Sequence, residues 1–311
     1  MRWGDFRRSR NVEDATDAGS GSGGGFPLGG GMKLGGGAIV LIIVASLLFG
    51  VNPLEMLATL ESGPAMQAPP GSAPPGAPPG YGPQYGPAPG AGRAPPSAPD
   101  PTKDFVSAVL GDTEDVWNEL FQQMGTGYHE PKLRLYSNLV QSACGRASAA
   151  AGPFYCAADE RVYLDTAFFD QLSRRYGAPG DFAQAYVIAH EIGHHVQNQF
   201  GVMREFDQKA QRLDARGRNA LSVRLELQAD CFAGVWGHFA QRRGLLDPGD
   251  LEEGIRAAQA VGDDRIQKQS QGYVVPDAFT HGSAEQRMRW FRIGLDSGDP
   301  RRCNAFAAPR P

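Results

Sequence analysis

Between about Ser62 and Thr102 the chain is written in Pro, Gly, Ala, Gln and Tyr with almost no charge, as in APPGSAPPGAPPGYGPQYGPAPG. Such a stretch has no apolar periodicity and cannot bury a core, which predicts a disordered, polyproline-rich spacer. The chain holds 41 Gly and 24 Pro in 311 residues, and they concentrate here and in a Gly-rich run from Gly19 to Gly37. Any folded domain must therefore be built outside these runs, and only residues 103–311 are long enough for a full core.

Between the two low-complexity runs lies the apolar segment Ala38-Ile39-Val40-Leu41-Ile42-Ile43-Val44-Ala45-Ser46-Leu47-Leu48-Phe49-Gly50-Val51. No charge occurs between Lys33 and Glu55. That leaves roughly 20 residues to cross a hydrocarbon core about 30 Å thick, which predicts one transmembrane helix. Arg2, Arg7, Arg8, Arg10 and Lys33 precede the span. By the positive-inside rule the amino terminus lies in the cytoplasm and the folded domain outside the inner membrane. The absence of an A-x-A cleavage site favours an anchor over a removed signal peptide. The expected layout is a cytoplasmic disordered segment at 1–33, a transmembrane helix at 34–54, a disordered linker at 55–102 and a folded domain at 103–311.

Chemistry enters with Ala189-His190-Glu191-Ile192-Gly193-His194, an HExxH pattern. Residues four apart share a helix face, so His190 and His194 can meet one metal ion while Glu191 faces the water it would carry. Asp181 is a plausible N-cap of that helix and Gly201 its stop. A catalytic zinc needs a third protein ligand and an open position. Glu226-Leu227-Gln228-Ala229-Asp230 supplies one on a second helix. Glu226 would ligate, and Asp230, one turn on, would accept the other ring N–H of a ligand histidine. Gly193, Ala229, Ala233, Gly234 and Gly237 are small enough to let the two helices approach closely. The bland reading of Glu226 and Asp230 is a solvated helix face near Arg224.

HEIGHHVQ followed by RLELQADCFAGVW resembles the bacterial membrane-anchored neutral zinc metallopeptidases, a gluzincin-like group. The resemblance extends from the opening MRW and RSRNVED to FTHGSAEQRMRWF and spares only the Pro-rich middle. It implies a zincin-like domain, α+β but mostly α with a small sheet. It also implies one Zn2+ on His190, His194 and Glu226, Glu191 as catalytic carboxylate, Asp230 as the partner of His190, and a peptide or protein substrate. In zincins an extended substrate commonly lies along an edge strand, a role the resemblance would give Val162-Tyr163-Leu164-Asp165. An ordinary buried strand is the equal alternative there.

An oxyanion formed in hydrolysis usually has a donor besides the metal. His281 in Thr280-His281-Gly282-Ser283 is a candidate, with Tyr186 and Tyr273 behind it. His195 points away from the motif face and reads as structural or as a support behind the ligands, and His129 and His238 have no identifiable partner. Cys144 and Cys156 flank a short loop between Leu133-Arg134-Leu135-Tyr136 and Val162-Tyr163-Leu164, two runs that read as strands of one sheet. A disulfide there fits an oxidising compartment. Cys231 and Cys303 form a second expected pair, unless Cys231 is a buried thiol.

Helical spacing is expected over 103–124, 166–176, 182–199, 202–216, 219–242, 251–269 and 284–296. A net charge of −4, dispersed along the chain, speaks against nucleic acid as a partner. Two other function classes stay open. One is a membrane-tethered zinc-binding scaffold or inactive peptidase-like interaction protein, against which Glu191 counts, since a closed structural site has no use for it. The other is a zinc hydrolase of non-peptide amides or esters.

Overall fold

The computed structural model describes residues 1–16, 100–309 and 311. Its strands are β1 (Val12–Asp14), β2 (Lys132–Tyr136), β3 (Leu139–Ser142), β4 (Gly145–Ser148), β5 (Phe154–Cys156) and β6 (Arg161–Asp165). Its helices are α1 (Pro101–Gln123), α2 (Phe168–Arg174), α3 (Asp181–Gln199), α4 (Val202–Ala210), α5 (Ala215–Arg242), α6 (Asp250–Ala260), α7 (Asp263–Gln271) and α8 (Ala284–Ser297). This is the expected α+β class, mostly helical with a small sheet.

The sheet has the order β1-β2-β6-β5. The expected strands β2 and β6 pair in parallel with Leu133 opposite Val162 and Leu135 opposite Leu164, and these four side chains enter the main core. β5 runs antiparallel to β6 and forms the edge, so β6 is an interior strand and not the edge that the resemblance suggested. β3 and β4 form a separate hairpin. Both expected disulfides are present. Cys144–Cys156 ties the hairpin turn to the end of β5, and Cys231–Cys303 ties α5 to the carboxy-terminal turn.

The helical body follows the apolar spacing, with two breaks where long helices were expected. The stretch 202–216 stops at Ala210, and the Asp214 carboxylate then caps α5 by accepting from the Gly217 amide at 2.8 Å. The stretch 251–269 divides at Gly262, where the chain passes so close to the Ala284 backbone that a Cβ would collide with it. α3 begins one residue after Gly180, the actual N-cap with φ 120°, so Asp181 sits inside the helix.

Residues 1–16 are not the disordered segment expected of them. β1 pairs in parallel with β2, Val12 opposite Leu133 and Asp14 opposite Leu135, and Phe6 is buried in the core. Arg8 grips Asp104 through two contacts of 2.7 and 2.8 Å, and Arg7 meets Glu114 at 2.7 Å. Ser9 and Asn11 donate to the same Glu114. The Met1 nitrogen lies 3.0 Å from Asp181 on the HExxH helix and 3.2 Å from Asp250. Arg7 and Arg8, two of the five charges that count toward cytoplasmic orientation in the sequence, are thus engaged in ion pairs within the domain.

The expected span at 34–54 and nearly all of the expected linker lie outside the described residues. No helix among the described residues is long and apolar enough to cross a membrane. β1 and β2 are neighbours in one sheet, and Lys103 Nζ sits 3.3 Å from Asp14 Oδ2. A single bilayer crossing between them would place adjacent strands on opposite sides.

Candidate metal centre

Two helices make the centre by crossing at small residues. Gly193 of α3 sits against Ala229 of α5, so close that an added Cβ would come within 2.9 Å of the Ala229 carbonyl oxygen. That contact sets one turn of α3, carrying His190 and His194, against one turn of α5, carrying Glu226 and Asp230. Of the small residues expected at this crossing, Gly234 instead faces α8, under the Phe291 carbonyl.

His190 Nε2 lies 3.2 Å from Glu226 Oε2, and His194 Nε2 lies 3.6 Å from Glu226 Oε1. One ligand atom from each of the three residues falls within 4.8 Å of the others, a spacing that could hold a metal ion. Each histidine has its other nitrogen occupied. His190 Nδ1 donates to Asp230 Oδ1 at 2.9 Å, and His194 Nδ1 donates to Gln197 Oε1 at 2.8 Å. Both Nε2 atoms are thereby left for the shared point beside Glu226. The solvated-face reading of Glu226 and Asp230 fails: Asp230 is wholly buried, and Arg224 turns away to the carbonyls of Ala305 and Ala308.

Asp230 is itself held. Arg287 of α8 forks onto both its oxygens at 2.9 and 2.8 Å, and the Tyr186 hydroxyl donates to it at 2.5 Å. Burial would raise the Asp230 carboxyl, but the Arg287 and His190 charges hold it below its ordinary value. Burial would likewise depress His190, yet Asp230 and Glu226 outweigh it and lift the imidazole to about 9. A metal ion entering here would displace that proton.

Glu191 is buried and faces the same cleft as the two imidazoles, a space of about 250 Å³. Burial pushes its carboxyl above the ordinary glutamate value, against the pull of His190 and His194. His281 lines the cleft as well. Asp263, the residue after the break at Gly262, organises its turn: Oδ2 accepts from the amides of Thr280, His281 and Gly282, and Oδ1 lies 3.2 Å from His281 Nδ1. Burial would depress His281, but Glu226 and Asp263 outweigh it and raise its pKa. Tyr186 is committed to Asp230 and Arg287, while Tyr273 is 62% exposed and outside the cleft lining. His195 is structural, its ring set between the Tyr155 hydroxyl and the His129 carbonyl. His238 contacts the Leu295 carbonyl.

Arg287, Asp263 and Gln197 escape a reading of the sequence. Each is a polar residue on a helix that looks like any solvated one, and only the tertiary contact shows its task.

With the geometry in place, comparison with known proteins is direct. The pattern of the family described as "Putative neutral zinc metallopeptidase" matches residues 1–306. The chain belongs to this family. Relatives of this metallopeptidase family include the uncharacterized protein YpfJ of Escherichia coli (strain K12), 44% identical over 306 residues, which cover 98% of this chain and 99% of that protein. Another is the uncharacterized protein Rv2575 of Mycobacterium tuberculosis, 44% identical over 214 residues, which cover 65% of this chain and 70% of that one. No solved structure matches the chain. The family match includes residues 1–16, the segment that carries β1.

Proposed function

We propose that this chain is a zinc-dependent peptidase that hydrolyses extended peptide segments. The observation that carries the reading is the convergence of His190, His194 and Glu226 on one point, with a buried Glu191 beside them in an open cleft. Three protein ligands and a separate carboxylate suit a catalytic zinc and leave a position for water, where a structural site would be closed by a fourth ligand. Zinc bound there would supply Lewis acidity toward a carbonyl oxygen and lower the pKa of a water molecule.

The rest falls to the protein. Glu191, its pKa raised by burial, takes the proton from the attacking water and can return it to the leaving amine. His281, its pKa raised by Glu226 and Asp263 against the effect of burial, can donate toward the oxyanion. The free edge belongs to β5, whose Phe154 and Tyr155 line the cleft, and an extended substrate can pair with it through its backbone. Val187, Val261, Ile266, Phe168 and Tyr176 give the cleft apolar walls suited to apolar substrate side chains.

For location, we place the folded domain outside the cytoplasmic membrane, a reading its two disulfides support. The apolar segment within 34–54 is the part of the chain that would attach it to the membrane.

The test uses the full chain, because residues 1–16 are part of the fold. Bound metal and hydrolysis of a casein-type unfolded substrate are measured for the parent and Glu191→Gln. About one zinc per chain is expected in both, with activity in the parent alone, since the variant keeps the ligands and loses the base. Turnover surviving in Glu191→Gln would remove Glu191 from its role.

A further inference from the structure

His190 has the carboxylate partner expected of a metal-bound imidazole, but His194 has none. Its Nδ1 faces an amide, Gln197, which is wholly buried and lies three residues on along the same helix. An amide can accept from a ring N–H or donate to a bare ring nitrogen, and the two cases fix opposite tautomers. The surroundings decide between them. Gln197 Nε2 lies 2.7 Å from the backbone carbonyl oxygen of Leu225 and 3.1 Å from Gln228 Oε1. A backbone carbonyl can only accept, so the amide nitrogen must point to Leu225 and the amide oxygen to His194. His194 then carries a proton on Nδ1, which leaves Nε2, on the Glu226 side, as the nitrogen a metal can take.

The same side chain does a second thing. Leu225 precedes Glu226, so Gln197 fastens the backbone beside the third ligand to the ring of the second, across the crossing of α3 and α5. Resting on the zinc reading above, we infer that Gln197 is a positioning residue for the metal centre. It sets the His194 tautomer and holds His194 and Glu226 in mutual register, with Gln228 fixing the orientation of its amide. Asp230 with Arg287 does the corresponding work for His190, so the two ligand histidines are aimed by different chemistry, one by a buried ion pair and one by a neutral amide.

The experiment titrates the metal-free full chain with Zn2+ against a chromophoric chelator, for the parent, Gln197→Met and Gln197→Glu. Removing an outer hydrogen-bond partner typically weakens metal affinity about 10- to 100-fold. That loss is expected for Gln197→Met, which keeps the length and apolar stem but not the acceptor. Gln197→Glu restores the acceptor but not the donor to Leu225, so its affinity is expected to fall between those of Gln197→Met and the parent. A purely structural role would lower the thermal midpoint of both variants without this order in zinc affinity. In parallel, nitrogen-15 spectra of the zinc-loaded parent should show His194 ligated through Nε2, with a slowly exchanging proton on Nδ1. This second measurement needs no variant to fold. Parent-like zinc affinity in a folded Gln197→Met, or ligation of His194 through Nδ1, overturns the inference. A parent that binds no zinc would instead overturn the peptidase reading on which it rests.

Discussion

His281 is the residue whose role separates most cleanly from metal binding. It lines the cleft, is oriented by Asp263 and carries a raised pKa, yet it is not one of the three converging ligands. His281→Ala should leave zinc stoichiometry at the parent value and lower kcat on the order of a hundredfold to a thousandfold, the usual cost of losing one oxyanion donor. A loss confined to KM, or no loss at all, would move His281 out of the reaction. At this scale the sequence was readable wherever spacing alone encodes the contact. His190 with His194, and Glu226 with Asp230, are each one helical turn apart, so their shared faces could be derived without a fold. Arg287 and Asp263 reach the centre across long stretches of chain, and nothing in their neighbourhoods marks them. Gln197 is the intermediate case: it stands one turn past His194 on the same face, a position that spacing gives, but the direction of its amide depends on Leu225 of another helix.

Elements were legible in proportion to how far their own side chains stabilise them. α3, α5 and α8 have long apolar stripes and lie close to where periodicity puts them, within a few residues at their ends. β1 could not be foreseen, because Val12-Glu13-Asp14 has one apolar residue and becomes a strand only by pairing with β2. The close approach of α3 to α5 at Gly193 and Ala229 was legible, but the role of Gly234 and Gly294 in seating α8 was not. α8 meets α5 through reciprocal glycines: Gly234 lies under the Phe291 carbonyl and Gly294 under the Cys231 carbonyl, and a Cβ at either would clash with backbone. This crossing places Arg287 over Asp230, so the helix pair also sets the support of His190. Gly294→Ala should therefore destabilise the domain by about 1–3 kcal/mol, the usual cost of overpacking. Its denaturant midpoint should fall with little change in slope. Gly4→Ala, where a Cβ would meet nothing within 4 Å, is the matched control and should stay at the parent midpoint. Equal midpoints for the two variants would show that α5 and α8 can separate without consequence.

At the scale of the whole molecule, the decisive fact is that the two described flanks of residues 17–99 belong to one sheet and one core. The sequence divides the chain at its low-complexity runs, since composition reports what cannot form a core but not which distant pieces form one together. The ion pairs of Arg7 and Arg8 with Glu114 and Asp104, and the pairing of β1 with β2, join across that division. Two consequences follow. Both flanks must lie on the same side of any membrane the chain enters, so a protease site inserted after Gly23 and another after Gly90 should be cut from the same side of sealed membranes. Cutting at both should also leave the segment holding β1 bound to the domain, because its hold is a strand pairing with buried Phe6 and several ion pairs rather than the intervening chain. Conversely, a chain begun at residue 100 lacks the cover of β2, whose exposed edge would invite pairing with other chains. It should unfold at a lower denaturant concentration than the full chain and regain stability when a peptide of residues 1–16 is added. Cleavage of the two sites from opposite sides, or a truncated domain as stable as the full chain, would separate the amino-terminal segment from the fold and restore the single-crossing arrangement.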